Sequence, residues 1–133
     1  MPPNPDLVAL LQGVLSRHPV IQFAILFGSG ARGQETFESD VDLAVDAGHP
    51  LTAGERMVLM GDLAEAVGRP VDLIDLSTVG EPLLGQVLKH GVRIRGPATR
   101  FGHLLSRHLI DQADFLPLRN RILDERRAAW TKS

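Results

Sequence analysis

Residues 20–45 have the sequence VIQFAILFGSGARGQETFESDVDLAV, and the rest of the predicted fold is arranged around this segment. It opens with an apolar run over residues 20–27 that is rich in β-branched and aromatic side chains, which is typical of a buried strand. The Gly-Ser-Gly motif at residues 28–30 ends that run and favours a sharp turn. After a connection, Asp-Val-Asp at residues 40–42 opens a second apolar run, which predicts a second strand.

The two aspartates of the second strand, Asp40 and Asp42, point to the same face because side chains alternate along a strand. Two carboxylates so placed repel each other unless a hard divalent cation lies between them, and oxygen ligands of this kind suit magnesium. Gly28 allows the turn, and Ser29 with the amides after it then forms a phosphate cradle. Arg32 is interpreted as a contact to a phosphate or to a neighbouring carboxylate, or as a plain surface arginine. The stretch therefore predicts a phosphate site joined to a pair of metal-binding carboxylates.

A third predicted strand, over residues 71–76, carries two more aspartates, Asp72 and Asp75. Their parity is opposite, so they cannot both reach one site. Asp72 lies inside an apolar run, where a lone charge is unfavourable unless it is paired or binds a metal. Asp75 lies nearer the end of the strand and is interpreted as marking the exit turn.

The motif resembles the signature of the polymerase-β-type nucleotidyltransferase superfamily, which is Gly-Ser, ten residues, then Asp-x-Asp. The fuller form, GSGARG at residues 28–33 with SDVDL at residues 39–43, is similar to the minimal nucleotidyltransferases. Among these it resembles the antitoxins of the MntA-like adenylyltransferase family, which are paired with a HEPN-domain RNase toxin. The similarity continues through residues 82–94, and residues 100–127 resemble the C-terminal helical extension of the antitoxin subgroup.

The resemblance implies a function and a set of site residues. By position, Asp72 matches the third catalytic carboxylate of the family, so the expected catalytic residues and ligands of two Mg²⁺ ions are Asp40, Asp42 and Asp72. Gly28, Ser29 and Arg32 are expected to bind the nucleotide. With ATP as donor, AMP would be transferred to a tyrosine of the HEPN-domain toxin and would neutralise it.

Two other functions fit the same residues. In the first, the protein silences the toxin mainly by binding it, and catalysis is secondary or absent. In the second, it is a nucleotidyltransferase for a small molecule such as an aminoglycoside. Enzymes of that kind usually carry a further substrate domain, for which a chain of 133 residues leaves little room.

The remaining sequence predicts helices around the strands. Asp6 is a candidate N-cap for a first helix with an apolar stripe at Leu7, Leu10, Leu11, Val14 and Leu15. Residues 31–34 are predicted to form a short helix behind the Gly-Ser turn. Residues 51–55 contain a capping box, and Gly68 is predicted to end the helix that follows. Its expected buried stripe is Met57, Met60, Leu63, Ala64 and Val67.

Towards the C-terminal end the pattern predicts a helix, an edge strand and a helical tail. The helix begins near Pro82 and ends at Gly91, and residues 92–96 alternate like a short edge strand. The tail is predicted to be helical from Pro97, with an apolar stripe at Phe101, Leu104, Leu105, Leu109 and Ile110. Phe115, Leu116, Ile122 and Leu123 continue that stripe past Pro117, which should kink or split the helix.

Composition limits the possible function classes. The net charge of −2 argues against a general nucleic-acid binder, and no apolar run is long enough to cross a membrane. No signal peptide is expected, and the absence of cysteine agrees with a reducing cytoplasm. Residues 1–97 carry 7 basic and 12 acidic side chains, whereas residues 98–133 carry 7 and 4. The basic tail is interpreted either as meeting something acidic, such as a partner protein, or as a solvated helix face.

These observations predict the architecture. The expected fold is an α/β (α+β) domain with a polymerase-β-like nucleotidyltransferase core, in which a small mixed sheet has helices on one face and a C-terminal helical tail. Residues 1–97 would form the minimal nucleotidyltransferase domain. Residues 98–133 would form an extension that packs on this domain or on a partner, so that the chain is one domain overall.

Overall fold

The structure is a computed structural model that describes residues 2–33 and 40–111. Its helices and strands alternate along the chain, in the order α1 (Pro5–Ser16), β1 (Phe23–Phe27), β2 (Val41–Asp46), α2 (Ala53–Val67), β3 (Val71–Asp75), α3 (Leu83–His90) and β4 (Val92–Arg95). Residues 98–111 form a further helix, α4, which continues to the end of the second described range. No helix in these two ranges is both long and apolar enough to cross a membrane.

The four strands form one mixed sheet in the order β3-β2-β1-β4. β1 is antiparallel to β2 and to β4, whereas β2 and β3 are parallel. The predicted α/β class with a small mixed sheet and an edge strand near the C-terminal end is confirmed. β1 is shorter than the predicted strand, because the chain at Ile21 is still in a turn that its amide closes on the carbonyl of His18.

Both faces of the sheet are covered by helices, whereas the sequence predicted helices on one face. The reason lies in β1, whose residues are apolar at both parities. Ala24 and Leu26 belong to the core formed with α1 and α2, while Phe23 and Ile25 belong to a second core formed with α3 and α4. Each apolar face needs its own cover, so the sheet lies between two helical layers.

The helix ends follow their local signals, with one correction. Thr52 and Glu55 form the predicted capping box, and Gly68 ends α2 in the left-handed conformation at φ 69°. The predicted N-cap of α1, Asp6, is wrong. Asn4 is the cap and accepts a hydrogen bond from the Asp6 amide, because Pro5 takes the first helical position.

The buried side of α2 differs from the prediction at two residues, Met57 and Leu59. Leu59 and Leu63 are the residues buried by this helix, whereas Met57, predicted as part of the stripe, is 74% exposed. Leu63 is buried as predicted, and Met60, Ala64 and Val67 are partly buried against the same core, so most of the predicted stripe faces the sheet.

α4 is attached to the sheet by polar contacts as well as by its apolar side. Arg100 forms an ion pair with the buried Asp46 at the end of β2, with 2.6 Å between Nε and Oδ2. Arg107 donates hydrogen bonds to the carbonyls of Leu76 and Val79, at 2.8 and 3.0 Å. Of the predicted stripe, Leu104 is buried and Phe101 half-buried, whereas the other three members are exposed: Leu105, Leu109 and Ile110. The predicted continuation past Pro117 lies outside the described residues.

In each of the two outer strands, β3 and β4, a backbone carbonyl accepts a hydrogen bond from a helix side chain. The Gln12 side-chain amide donates to the carbonyl of Ile94 in β4 at 2.9 Å. The Arg56 guanidinium donates to the carbonyl of Leu73 in β3. Since the amide of Leu76 bonds inward to β2, the odd-numbered residue Leu73 presents its carbonyl to the outside of the sheet.

Candidate active site

The predicted site residues collect at one end of the sheet, where β1 ends and β2 and β3 begin. In the register of the sheet, Phe27, Asp42 and Asp72 are direct neighbours on three adjacent strands. Directly paired residues share a face, so these three side chains form one row. Asp40 lies one residue before β2 and has the same parity as Asp42. The structure therefore brings together the aspartates that the sequence predicted, across a gap of thirty residues in the chain.

The electrostatics of Asp42 show how closely these carboxylates interact. The pKa of Asp42 is raised above its ordinary value, first by burial and then by the negative charges of Asp72 and Asp40. Asp42 is half-buried, whereas Asp40 and Asp72 are exposed. The ionised form of Asp42 is thus unfavourable in the protein by itself, and a cation placed among the three carboxylates would reverse that.

Asp72 differs from the prediction in its burial. The apolar sequence around it predicted a buried charge, but β3 is an outer strand and the side chain is exposed. An exposed carboxylate at the edge of a sheet stays hydrated, so Asp72 needs no partner for the fold.

Asp75 serves the exit turn of β3, as predicted. It is buried and accepts hydrogen bonds from the amides of Leu51 and Ser77, at 2.8 and 2.9 Å, and from the Ser77 hydroxyl at 2.7 Å. Burial by itself would raise the pKa of Asp75, but these hydrogen bonds, together with the nearby Arg56, lower it below the ordinary value. Asp75 therefore stabilises the loop between β2 and α2 on the face opposite Asp72.

Gly28 is the point at which the turn meets the carboxylates. Its φ is 70°, and a Cβ atom placed on it would lie 2.2 Å from Oδ2 of Asp42. Real Cβ atoms do not approach so closely, so a side chain at this position would displace the Asp42 carboxylate. The sequence predicted glycine here for the turn, and the structure adds the close approach to Asp42.

The chain after Gly28 forms consecutive turns instead of the short helix predicted for residues 31–34. The amide of Arg32 bonds to the carbonyl of Ser29 at 3.2 Å, and that of Gly33 to Gly30 at 3.4 Å. Gly33 has a φ of 68°, a left-handed conformation that stops helix growth. Residue 34 lies outside the described part of the chain.

Ser29 and Arg32 frame this turn. Ser29 is half-buried beside Gly28, and Arg32 is exposed. Arg32 forms no ion pair with any residue in the two described ranges, so the neighbouring-carboxylate interpretation is not realised within them. Among the described residues, no carboxylate competes with an anionic ligand for its guanidinium.

The site is an open row of carboxylates, not a closed cage. Within residues 2–33 and 40–111, no three His, Asp or Glu side chains form a group arranged to hold a metal ion. The donor chemistry nevertheless fits a hard divalent cation, because all three candidate ligands are carboxylates and two of them raise the pKa of the third. Phosphate oxygens of a bound nucleotide would complete such a coordination shell.

Phe27 is the neighbour of the carboxylates that sequence reasoning treated only as part of the strand core. The register places its half-buried ring directly beside Asp42. The sequence contained a signal for this position. Phe27 is the last residue of β1 before Gly28, and side-chain alternation along the strand puts it on the face of the aspartates.

Comparison with known proteins accounts for this arrangement. The sequence profile of the family described as "Polymerase beta, Nucleotidyltransferase" matches residues 10–97. The chain belongs to this polymerase beta nucleotidyltransferase family. The resemblance drawn from the Gly-Ser and Asp-x-Asp motifs is thereby confirmed.

One curated relative of this nucleotidyltransferase is the protein adenylyltransferase MntA of Shewanella oneidensis. The two sequences are 37% identical over 78 residues, which make up 59% of this chain. The matched segment spans 56% of the relative's length, so the alignment covers about half of that protein.

Solved structures extend the likeness over most of this nucleotidyltransferase. A chain of a crystal structure of a toxin–antitoxin with AMP-PNP superposes with a TM-score of 0.76 and 28% identity, over 89% of this chain and 96% of the other. A chain from a complex of a tri-AMPylated HEPN toxin of Shewanella oneidensis with its MNT antitoxin gives a TM-score of 0.67 and 26% identity, over 89% and 97%.

Proposed function

We propose that this protein is a magnesium-dependent nucleotidyltransferase antitoxin that transfers AMP from ATP to a tyrosine of a cognate HEPN-domain RNase toxin and so neutralises it. The observation that carries this is the row formed by Asp42 and Asp72, with Asp40 beside it, against the Gly28 turn. Family membership supports nucleotidyl transfer. The likeness to MntA and to chains from toxin–antitoxin complexes supports AMP as the transferred group and a toxin as acceptor.

The site residues take the following roles. Asp40 and Asp42 would hold one Mg²⁺ ion and Asp72 would help to hold a second, which together would neutralise charge on the triphosphate and on the leaving pyrophosphate. Ser29 and the amides of the turn would hold the β- and γ-phosphates, and Arg32 would contact a phosphate. Because Gly28 has no side chain, it would leave room for the Asp42 carboxylate beside the turn.

The transfer balances without any further reactant. The tyrosine oxygen of the acceptor forms a bond to the α-phosphorus of ATP, and the bond from that phosphorus to the bridging oxygen of pyrophosphate breaks. Asp72, which is exposed at the sheet edge, would accept the proton of the tyrosine hydroxyl. The products are AMP-tyrosine and pyrophosphate.

The domain division and the location belong to the same proposal. Residues 1–97 would form the nucleotidyltransferase domain, which agrees with the family match ending at residue 97. Residues 98–133 would form the extension, which begins with α4 packed on the sheet. An enzyme that uses ATP and acts on an intracellular RNase would work in the cytoplasm.

Intact-mass spectrometry tests the proposed transfer. The protein is incubated with Mg²⁺, each nucleoside triphosphate in turn and the cognate HEPN-domain protein. The expected result is a gain of one or more AMP units on the HEPN protein with ATP, abolished by Asp42→Asn and retained by Glu65→Gln, an exposed change on the opposite helical layer. Full transfer by Asp42→Asn would refute the assigned site.

Neutralisation by binding alone is the second candidate, and the exposed leucines of α4 favour it. The same samples separate the two functions. If Asp42→Asn transfers no AMP but still inhibits the RNase activity of the HEPN protein at equal concentrations, binding suffices. If inhibition is lost together with transfer, the modification is what neutralises the toxin.

A further inference from the structure

α4 exposes a row of apolar residues on the side that faces away from the sheet. Leu105 is 40% exposed and Leu109 is 56% exposed. They are four residues apart and therefore adjacent on one side of the helix. Gly102 lies in the same row and has no heavy atom within 4 Å of where its Cβ would be. These three residues are called the α4 row below.

The orientation of the α4 row is fixed by contacts on the opposite side of the helix. Leu104 is buried in the core under α3, and Arg107 donates to two carbonyls in the loop after β3. Arg100 holds the start of the helix to Asp46, whose side chain is almost fully buried. The helix cannot turn its leucines inward without breaking these bonds, so the row is presented outward on a rigid base. Such preorganisation lowers the entropy lost on binding.

The spacing of the α4 row indicates what kind of surface fits it. Residues 102, 105 and 109 follow one another at intervals of three and four, the spacing by which one helix packs against another. Gly102 lets a partner helix approach closely at one end of the row, and the leucines fill the contact beyond it. In the sequence, the segment from residue 98 onward has more basic than acidic side chains, which favours an acidic partner.

The similarity to chains from toxin–antitoxin complexes indicates which molecule supplies the partner helix. The family profile ends at residue 97, yet chains taken from toxin–antitoxin complexes match 89% of this chain. That share cannot be reached within residues 1–97, so the matches include part of the segment that begins with α4. The similarity between this chain and the chains from toxin–antitoxin complexes thus extends beyond the nucleotidyltransferase core.

We propose that the α4 row is the docking surface for an apolar helix face of the cognate HEPN-domain toxin. The inference rests on the proposed function for the identity of the partner, but not on catalysis. Docking here would hold the toxin on the face of the sheet that carries Asp42 and Asp72, because α3 and α4 cover the distal part of that same face.

Single cysteines test the proposal, because this chain has none, so that each introduced cysteine carries the only thiol of its chain. Leu109→Cys reports on the α4 row. Met57→Cys replaces a residue that is also apolar and is even more exposed, but lies on α2 across the sheet, and it is the control. Both are made in the full chain with Asp42→Asn, so that AMP transfer plays no part. Maleimide labelling rates are measured with and without the HEPN-domain protein, and size-exclusion chromatography records whether a complex forms.

The expected result is rapid labelling of both cysteines in the isolated protein and labelling of Leu109→Cys slowed about tenfold or more in the complex, with Met57→Cys unchanged. Slow labelling of Leu109→Cys in the isolated protein at every concentration would mean that its own chain covers the row. Protection that grows with protein concentration would mean a second copy. Either outcome overturns the proposal.

Two further outcomes distinguish a wrong docking surface from a wrong partner. If a complex forms while Leu109→Cys still reacts fully, the toxin docks elsewhere and only the present inference fails. If no complex forms, the proposed partner is wrong and the inference falls with it. As a second measurement, Leu109→Glu is expected to weaken the complex about tenfold or more, whereas Met57→Glu leaves its affinity unchanged.

Discussion

At the scale of single residues, the distance between Gly28 and Asp42 is the tightest constraint in the site. A methyl group at position 28 would meet Oδ2 of Asp42 at 2.2 Å while the backbone holds φ at 70°. Either the turn or the carboxylate would have to move, and both belong to the proposed site. Replacing this glycine should therefore affect the chemistry more than the fold.

Gly28→Ala is expected to reduce AMP transfer about a hundredfold or more, as displacement of a positioning group does, and to lower stability by about 1 kcal/mol or more. Gly68→Ala is the matched control, because its φ is 69° but nothing lies within 4 Å of its Cβ position. It should lose similar stability and keep its activity. Intact-mass kinetics and thermal melting measure the two effects. Equal activity losses in the two variants would contradict the role of the close approach.

The raised pKa of Asp42 predicts an unusual pH dependence of stability. Because the folded protein holds this proton more tightly than the unfolded chain, ionised Asp42 lowers the free energy of unfolding at neutral pH. This lowering of the free energy of unfolding disappears as the pH falls through the raised pKa of Asp42 towards the ordinary value for aspartate. Asp42→Asn should thus melt at a higher temperature than the parent at pH 7 in chelator, and the difference should vanish on acidification.

Added Mg²⁺ should reverse the order of the two melting temperatures at pH 7, since it would stabilise the parent through its carboxylates and leave Asp42→Asn almost unchanged. Glu65→Gln serves as the control and should follow the parent throughout. A variant that melts below the parent in chelator at pH 7 would show that ionised Asp42 does not destabilise the fold.

At the scale of secondary-structure elements, an ion pair between Arg100 and the buried Asp46 contributes to the attachment of α4, beside the contacts of Arg107 and Leu104. Asp46 is only 1% exposed, and besides Arg100 it accepts one bond from the Gly48 amide at 2.8 Å. Arg100→Ala leaves this carboxylate buried without its cation. The expected destabilisation is about 1–3 kcal/mol, below the range for a fully buried pair because the Arg100 side chain is partly exposed.

A double-mutant cycle measures this pair directly. In an Asp46→Asn background, Arg100→Ala should lose clearly less stability than it does in the parent, as chemical denaturation would record. Arg93→Ala is a suitable control, because Arg93 is exposed on β4 and its side chain donates to the nearby carbonyl of Gly96. Equal losses in both backgrounds would mean that Arg100 acts through packing alone.

The elements also show how much the sequence could predict. The capping box at Thr52, the Gly68 stop and the alternation that puts Asp40 and Asp42 on one face are local signals, and all three lie as predicted. The buried stripe of α2 was predicted except at Met57, which is exposed, and at Leu59, which is buried but was left out of the prediction. The pair of Asp46 with Arg100 joins residues 54 positions apart, and no periodicity marks it.

The placement of Asp72 shows the same division between local and long-range information. Its parity on β3 follows from the sequence, but its exposure follows from β3 being an outer strand, which only the strand order reveals. Likewise, the convergence of Asp42 with Asp72 depends on the parallel pairing of β2 with β3. The sequence identified Asp42 and Asp72 as candidate ligands, but it did not predict that they are direct neighbours in the sheet.

At the scale of the whole molecule, the two helical layers divide the surface. α1 and α2 cover one face of the sheet, while α3 and α4 cover the other only over the half remote from the Gly28 turn. Asp42 and Asp72 lie on the half that remains open. A nucleotide and an acceptor side chain can therefore approach the carboxylates from the same side on which α4 presents its leucines.

The contacts of Gln12 and Arg56 on the outer strands have a consequence for the protein in concentrated solution. An open sheet can recruit strands from other molecules, and such growth is how fibres begin. Here the outward carbonyls of Ile94 and Leu73 already have donors, so an incoming strand must displace them. Gln12→Ala combined with Arg56→Ala should raise light scattering and thioflavin binding over days, whereas Gln86→Ala should not. A clear solution of the double variant would show that these two side chains do not keep the molecules apart.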